Sequence, residues 1–324
     1  MSRAPYSGSS WFWPRRESTW HRLRSGDVTA TAAAALYGAS PYMTPFDLFH
    51  RLAGNVEVVF GENERMLWGK RLQNAIALGI CQDNGWRIVD RHPFLYARSA
   101  RFAHMGASPD FVIADDARPA IGLGLLEIKN VDTFIAKDEW TADESPVHIE
   151  FQLQHQLEAC DLGWGVVGGL IGGNDTRVYR RDRDRDVGDD IGSRINELFA
   201  RIERNDPPAP DYLADYETIR TLYRNAAIGK ELDLEAVEPD EAQRLLALIE
   251  ADHAAGLRFK ESEEDKKRAR AELIESIGDN ERVISAGWKV SARTTHRSEA
   301  IVTQRATSFR NVRVTKIKPK EAKA

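Results

Sequence analysis

The sequence predicts an α/β fold in which a mixed central sheet is flanked by helices. Between residues 86 and 180 it contains short apolar runs, rich in β-branched and aromatic residues and bounded by turn residues, which are typical of strands. Helical periodicity precedes and interrupts these runs. With 324 residues, of which 42% are hydrophobic and 29% charged, the chain has the composition of a globular protein with one sizeable core and an extension.

Three helical segments come before the first strand. Residues 17–40 are predicted to be helical because they contain an alanine-rich stretch. Thr44 is predicted to cap a second helix, since a threonine hydroxyl can accept a hydrogen bond from one of the first helical amides. A third helix is predicted over residues 62–78, and Gly79 is expected to end it.

The strands and the later helices alternate along the rest of the core. Strands are predicted at 86–89, 94–96, 111–114, 121–129, 163–172 and 177–180. Further helices are predicted at 147–159, 191–202, 212–223 and 240–277. Residues 205–211 contain three prolines and are typical of a linker. We therefore expect a core at residues 1–205, a helical extension at 206–280 and a basic C-terminal segment at 281–324.

Composition also indicates the cellular compartment of the protein. No run approaches the roughly 18 consecutive apolar residues of a membrane span, and the first residues lack an apolar run of signal-peptide length. The two cysteines, Cys81 and Cys160, cannot build a disulfide framework. These features predict a cytoplasmic protein without a membrane partner.

The basic residues are unevenly distributed. The net charge of the chain is −5, yet eleven lysines and arginines follow Glu281, against only two further acids. This asymmetry is compatible with DNA contact by the C-terminal segment, because basic clusters bind phosphates whatever the overall charge.

Three polar residues on two neighbouring predicted strands indicate chemistry. Asp110 follows Ser108 and Pro109 at the start of one strand, and Glu127 and Lys129 lie near the end of the next. Because strand side chains alternate between faces, Glu127 and Lys129 point the same way and Ile128 points into the core. Two carboxylates can hold Mg²⁺, and a lysine beside them can position a water for attack on a phosphodiester.

The Glu-x-Lys spacing alone is not specific. It occurs three times, at Glu127, at Glu264 and at Glu321. Glu264 lies in a charged helical run and Glu321 in a lysine-rich tail, so both are typical of solvated surfaces. Glu127 alone follows an apolar, strand-like run, and it therefore remains the candidate.

Further motifs occur in the same order as in one nuclease family. They are Trp20-His21-Arg22-Leu23-Arg24 with Val28-Thr29-Ala30-Thr31, Leu67-Trp68-Gly69-Lys70-Arg71-Leu72-Gln73, Ser108-Pro109-Asp110, Leu126-Glu127-Ile128-Lys129, and Phe151-Gln152-Leu153-Gln154-His155-Gln156-Leu157. From residue 20 to 199 the chain resembles the lambda-exonuclease-like, YqaJ-type viral recombinases of the PD-(D/E)xK superfamily. The resemblance implies a restriction-endonuclease-like core.

The resemblance also implies an activity and a metal. Such enzymes digest one strand of duplex DNA from its 5′ end and leave a 3′ overhang for recombination. Asp110 and Glu127 would hold Mg²⁺, or alternatively Mn²⁺, with the Ile128 backbone carbonyl as a further ligand. Lys129 would orient the attacking water. Gln73 stands where the family usually has a glutamate, so it would be a weak, neutral ligand.

A pocket for the terminal 5′-phosphate is implied as well. Arg24, Thr31, Ser108 and Gln152 match the family positions of that pocket, and an arginine fork suits a phosphate. The implied partners are double-stranded DNA ends, a phage single-strand-annealing protein and further copies of the chain in a ring. The implied setting is a phage or prophage in the cytoplasm of a bacterium. Trp20 is expected to pack the N-terminal segment, and His148 to be structural or exposed.

Three other functions remain open at this point. The chain could be an endonuclease or nickase on the same fold, which would not require DNA ends. It could also be a DNA-end-binding protein whose activity is lost with the glutamate that Gln73 replaces. A third alternative is an interaction protein that recruits partners through its C-terminal region.

Overall fold

The chain divides into two compact units, Met1–Leu222 and Tyr223–Ala324. The structure is a computed structural model, and it describes residue 6 and residues 8–57, 63–285 and 288–293. Most of the basic segment predicted at residues 281–324 lies outside the described residues, so its role stays a prediction. Within the described part of the chain, no helix is both long and apolar enough to cross a membrane.

The first unit contains two sheets and seven α-helices among its described residues. Its strands are β1 (Ser10–Phe12), β2 (Val28–Thr29), β3 (Trp86–Asp90), β4 (Tyr96–Arg98), β5 (Met105–Ala107), β6 (Phe111–Asp115), β7 (Leu123–Val131), β8 (Trp164–Ile171) and β9 (Asp175–Asp182). Its α-helices are α1 (Glu17–Arg24), α2 (Pro45–Leu52), α3 (Glu64–Asn84), α4 (Thr133–Glu139), α5 (Val147–Cys160), α6 (Arg185–Arg204) and α7 (Tyr216–Leu222). Two 3-10 helices lie at Ala30–Tyr37 and Pro119–Ile121.

The larger sheet is mixed, as the sequence predicts. Its five strands follow the order β3-β6-β7-β8-β9. The central pair β7 and β8 is parallel, and every other neighbouring pair in this sheet is antiparallel. The parallel pair is connected through α4 and α5, which is the crossover that parallel strands require. The expected α/β class with helices flanking a mixed sheet is confirmed.

The alternation along β7 separates two apolar layers. Leu125 packs into the layer that includes Leu153 and Leu157 of α5. Leu126 and Ile128 pack into the opposite layer, against α3. Both layers exclude water, and burial of each such side chain stabilises the fold by about 1.5–3 kcal/mol. Glu127, between two core residues, therefore faces the α5 side of the sheet.

A smaller sheet, with the order β1-β4-β5-β2, holds the N-terminal segment. Its β2 pairs in parallel with β5. The preceding residue, Asp27, is buried and accepts hydrogen bonds of 2.6 Å from the Tyr96 hydroxyl and from Nε of Arg98. These bonds fix the entry into β2. The prediction of one helical stretch over residues 17–40 is wrong here, because the strand β2 separates α1 from the 3-10 helix.

The end of α3 also differs from the prediction. The helix continues through Gly79 to Asn84 and ends at Gly85, whose φ of 68° is the left-handed conformation of a helix C-cap. Ile80 and Cys81 are buried against the sheet. A glycine inside a helix costs roughly 0.5–1 kcal/mol relative to alanine, and the burial of the adjacent residue, Ile80, offsets that cost.

Residues 206–222 belong to the first unit, so the boundary between the compact units differs from the one predicted at residue 205. Asp215 is buried and accepts a hydrogen bond from the Thr44 hydroxyl. Thr218 donates a hydrogen bond of 2.8 Å to Asp47. Thr44 also accepts from the Asp47 amide, which confirms it as the N-cap of α2. The separate roles predicted for the extension and the basic segment stay predictions.

The second unit consists, in its described part, mainly of one long helix. α8 (Pro239–Ile277) follows a 3-10 helix at Leu234–Ala236 and precedes a two-stranded antiparallel pair, β10 (Arg282–Ser285) and β11 (Trp288–Ser291). Most side chains of α8 are exposed.

Candidate functional site

The two candidate acids lie on neighbouring strands. The antiparallel register pairs Phe111 of β6 with Leu126 of β7, which places Asp110 beside Glu127. Asp110 Oδ2 accepts a hydrogen bond of 2.9 Å from the Ile128 N–H. In an antiparallel ladder the N–H and C=O of one residue face the same neighbour. The Ile128 carbonyl therefore faces the side of the strand on which Asp110 lies.

Glu127 is buried and is held by three donors. Its Oε1 accepts from Nζ of Lys129 at 2.7 Å and from Nε2 of Gln152 at 2.6 Å. Its Oε2 accepts from Nε2 of Gln156 at 2.8 Å. Only 5% of the Glu127 surface is exposed. A buried carboxylate is tolerated when it is paired and hydrogen-bonded. Here Lys129 on the same strand supplies the opposite charge, and Gln152 and Gln156 on one face of α5 supply further hydrogen bonds.

Lys129 forms the cationic member of this cluster. Its Nζ contacts Glu127 and also donates to Oε1 of Gln152 at 3.0 Å. Burial by itself lowers the pKa of a lysine, but the charges of Glu127 and Asp110 outweigh it and raise the pKa of Lys129 above its usual value. Lys129 is therefore an ammonium at neutral pH. It can donate hydrogen bonds to a water or to a phosphate oxygen, but it cannot act as a base.

The two carboxylates repel each other. Burial, followed by the charge of Glu127, raises the pKa of Asp110 to about 7. Lys129, the Ile128 amide and the Gln73 side chain act in the opposite direction and favour the anionic form of Asp110. When both acids are ionised, the two carboxylates outnumber the single Lys129 ammonium, and a bound cation would neutralise the remaining negative charge.

The donor set fits a hard divalent cation. Asp110, Glu127 and the Ile128 carbonyl all offer oxygen, the ligand atom that Mg²⁺ prefers, and Mg²⁺ is usually held by one or two carboxylates with waters and phosphates. Among the described residues, no group of three or more His, Cys, Asp or Glu side chains is arranged around one metal position. The site therefore has two carboxylates, and Gln73 beside Asp110 adds a neutral amide instead of a third. The role of Gln73 as a ligand stays a prediction.

Two of the four residues predicted for a terminal phosphate come together around Trp20. The indole Nε1 of Trp20 donates to Oγ of Ser108 at 2.8 Å. The guanidinium carbon of Arg24 lies 4.0 Å from the centroid of the Trp20 ring. Burial lowers the pKa of Arg24, and none of the described carboxylates forms an ion pair with it. A half-buried arginine without a counter-ion favours an anion as its ligand.

The other two predicted pocket residues have different neighbours. Gln152 lies in the cluster with Glu127 and Lys129. Thr31 is exposed, and its hydroxyl lies 3.2 Å from that of Thr29. In the part of the chain that the structure describes, no hydrogen bond links Thr31 to Arg24, Ser108 or Gln152. Its place in a phosphate pocket stays a prediction.

Three residues at the site were not predicted. Gln156 contacts Glu127, and its position four residues after Gln152, on the same helical face, was the signal that could have identified it. Trp20 contacts Arg24 and Ser108 instead of only packing the N-terminal segment. The third is His148: burial lowers its pKa against the opposing charge of Glu139, and the charge of Lys129 acts in the same direction as burial.

Comparisons with known proteins agree with these motifs. Residues 19–162 match the model of the YqaJ-like viral recombinase domain. Every predicted site residue, from Arg24 to Gln152, lies within this segment. A relative described as the uncharacterized protein YqaJ of Bacillus subtilis is 25% identical over an alignment of 248 residues, and the match covers 71% of this chain and 71% of the relative. The predicted relation to YqaJ-type viral recombinases is confirmed.

The chain is also similar in structure to an alkaline exonuclease, LHK-Exo, from Laribacter hongkongensis. The crystal structure of LHK-Exo in complex with dAMP is 19% identical, with a TM-score of 0.48, and the match covers 62% of this chain and 98% of that one. A second crystal structure of LHK-Exo has a TM-score of 0.45 at the same identity and coverage.

Proposed function

Because residues 19–162 match the model of the YqaJ-like viral recombinase domain, we propose that this chain is a metal-dependent nuclease that hydrolyses DNA. The finer proposal is an exonuclease that degrades one strand of linear double-stranded DNA from its 5′ end. The product would be a 3′ single-stranded overhang for phage-type homologous recombination. One observation carries this proposal: Lys129, Glu127 and Asp110 converge on adjacent strands, with Lys129 Nζ 2.7 Å from Glu127.

Asp110, Glu127, the Ile128 carbonyl and Gln73 would hold Mg²⁺, or alternatively Mn²⁺. When bound, such an ion supplies Lewis acidity and lowers the pKa of a coordinated water. The protein's own contribution is positioning. The Ile128 amide holds the Asp110 carboxylate, and Gln152 and Gln156 hold the Glu127 carboxylate, so that neither acid has to move before reaction.

Lys129 would stabilise the charge that develops on the phosphate. In hydrolysis the oxygen of water forms a bond to phosphorus, the bond between phosphorus and the 3′ oxygen of the terminal nucleotide breaks, and a proton reaches the leaving oxygen. The Lys129 ammonium can donate to a non-bridging phosphate oxygen throughout this change, and a fixed donor at a developing charge is an efficient form of catalysis. The shortened strand then ends in a new 5′-phosphate.

Arg24 would select that 5′-phosphate. Its guanidinium is half-buried, stacks on Trp20 and has no carboxylate partner among the described residues. Ser108, whose Oγ accepts a hydrogen bond from the same Trp20 indole, offers a hydroxyl as a second donor. Because each round of hydrolysis regenerates a 5′-phosphate, one pocket can serve every round. Thr31 and Gln152 would be further phosphate contacts.

The partners follow from the proposed reaction. We propose that double-stranded DNA ends are the substrate, that a phage single-strand-annealing protein takes the exposed strand, and that copies of the chain form a ring. The setting would be the cytoplasm of a bacterium that carries the phage or prophage.

The test is digestion of linear duplex DNA with Mg²⁺, using a 5′-phosphorylated and a 5′-hydroxyl version of the same duplex. Each strand carries a different label at its 3′ end, so that the polarity of digestion can be read from the fragments. We expect 5′-to-3′ loss that is faster on the phosphorylated end. Cleavage of closed circular DNA at a similar rate would instead show an endonuclease or nickase and contradict the proposal.

A further inference from the structure

Hydrogen bonds occupy the two oxygens of Glu127 unequally. A carboxylate offers about four lone-pair positions, two on each oxygen. Oε1 accepts two hydrogen bonds, from Lys129 and Gln152. Among the described residues, Oε2 accepts from Gln156 only. One lone-pair position of the Glu127 carboxylate therefore remains available for a cation. It is on Oε2, the oxygen that accepts the hydrogen bond from Gln156.

Among the described residues, Glu127 is the one hydrogen-bond partner of the Gln156 amide. Its Nε2 donates to Glu127, while its Oε1 is buried without a hydrogen-bond partner in the described structure. Only 1% of the Gln156 surface is exposed. Rotation of the amide by half a turn would direct Oε1 at the carboxylate, which is repulsive. A buried carbonyl without a partner destabilises the fold, so folding alone does not favour a glutamine here.

We propose that Gln156 is a positioning residue that fixes Oε2 of Glu127 toward the divalent cation of the active site. This inference rests on the proposed function, since it assumes that Glu127 binds the metal. Gln156 is on α5 and hydrogen-bonds the Glu127 carboxylate. It would therefore act on the cation indirectly, through that carboxylate. Outer partners of this kind commonly change metal affinity by about 10- to 100-fold when they are removed.

Gln156→Met is the decisive variant. Methionine has nearly the size of glutamine but neither donates to Oε2 nor carries a buried carbonyl. We expect the affinity for Mn²⁺ to fall about tenfold or more. We also expect the melting temperature without metal to stay the same or to rise, because the variant removes a buried carbonyl that has no partner. A purely structural role would lower the melting temperature and leave Mn²⁺ affinity unchanged.

The matched control is Gln154→Met on the same helix. Gln154 is half-buried on another face of α5 and hydrogen-bonds the backbone at Asp182 and Asp184. Within the described part of the chain, no hydrogen bond links it to Glu127. A second variant, Gln156→Asn, keeps an amide in the core but withdraws it from Oε2 by one methylene group. We expect Gln156→Asn to weaken Mn²⁺ binding and Gln154→Met to leave it unchanged.

The experiment is isothermal titration calorimetry of Mn²⁺ into the full chain without DNA, at about pH 8, with melting curves for each variant. Glu127→Gln is measured in parallel. If Glu127→Gln binds Mn²⁺ like the original protein, the metal assignment in the proposed function fails. If Glu127→Gln loses binding but Gln156→Met and Gln156→Asn retain it, only the role of Gln156 is overturned.

Discussion

Asp110 accepts a hydrogen bond of 2.9 Å from the backbone amide of Ile128, the residue that follows the second acid of the site. This bond attaches the first acid to the strand that carries the second. The separation of the two carboxylates is consequently set by the sheet register and not by a flexible loop. Different groups stabilise the negative charge of each acid. Asp110 accepts a hydrogen bond from a backbone amide, and Glu127 accepts from Lys129 and two glutamines.

The raised pKa of Asp110 predicts an unusual pH dependence of stability without metal. An unfolded aspartate ionises near pH 4, whereas Asp110 in the folded protein has a pKa of about 7. Between these values the folded state binds more protons, so the free energy of unfolding falls as the pH rises from about 4 to about 7. His155, whose pKa burial lowers to about 4, acts in the opposite direction.

Comparison with Asp110→Asn isolates this contribution. We expect the difference in the free energy of unfolding, variant minus original, to grow from pH 4 to pH 7 in metal-free buffer. Urea denaturation at several pH values measures it. A difference that does not change with pH would show that Asp110 has an ordinary pKa.

Gln73→Glu should tighten metal binding. A third carboxylate adds charge and an oxygen ligand next to Asp110, whose anionic form Gln73 now favours. Without metal the variant should melt at a lower temperature at pH 8, because three acids repel one another. Saturating Mg²⁺ should raise its melting temperature by more than it raises that of the original protein.

The DNA digestion assay distinguishes two readings of Gln73. If the original protein is inactive and Gln73→Glu digests DNA, the chain is a DNA-end-binding protein that has lost a ligand. If both digest DNA, the glutamine only weakens metal affinity.

Arg24→Met should remove the preference for a phosphorylated end. Loss of a hydrogen bond to a charged group costs about 1.5–3 kcal/mol, which is roughly 10- to 100-fold in the rate ratio between phosphorylated and hydroxyl ends. Arg22→Met is the control, because Arg22 is exposed on the same helix α1. Equal selectivity in the two variants would place the phosphate pocket elsewhere.

Gly124→Ala should destabilise the strand that carries Glu127. A Cβ at Gly124 would lie 2.4 Å from the ring of Trp164, which is buried and cannot move aside easily. Overpacking of this kind costs about 1–3 kcal/mol. Gly79→Ala is the matched control, since nothing lies within 4 Å of its added Cβ and alanine is the better helix former. Urea denaturation should show a loss for Gly124→Ala and a small gain for Gly79→Ala.

The sequence predicted the strands of the site well because their signal is local. The alternation around Glu127 gave both its strand and the shared face with Lys129, and Lys129 indeed contacts Glu127. Thr44 was predicted as a helix cap from its position alone, and the cap is present. Features of this type depend on residues a few positions apart, which a sequence displays directly.

Contacts between distant segments could not be predicted in the same way. Trp20 bonds Ser108 across 88 positions, and Asp27 bonds Arg98 across 71. The second bond redirects the chain into β2, where local propensity favoured a helix. The length of α3 likewise depends on tertiary packing. Gly79 predicts the end of the helix, but the helix continues because Ile80 is buried against the sheet.

The most direct test of the central claim is Mg²⁺-dependent digestion of 5′-phosphorylated linear duplex DNA by the original protein and by Lys129→Met. Lys260→Met, on the exposed surface of α8, is the control. We predict that Lys129→Met still binds DNA ends but digests them about 100- to 1,000-fold more slowly, while Lys260→Met is unchanged. Digestion by Lys129→Met at the original rate would contradict the assignment of the active site.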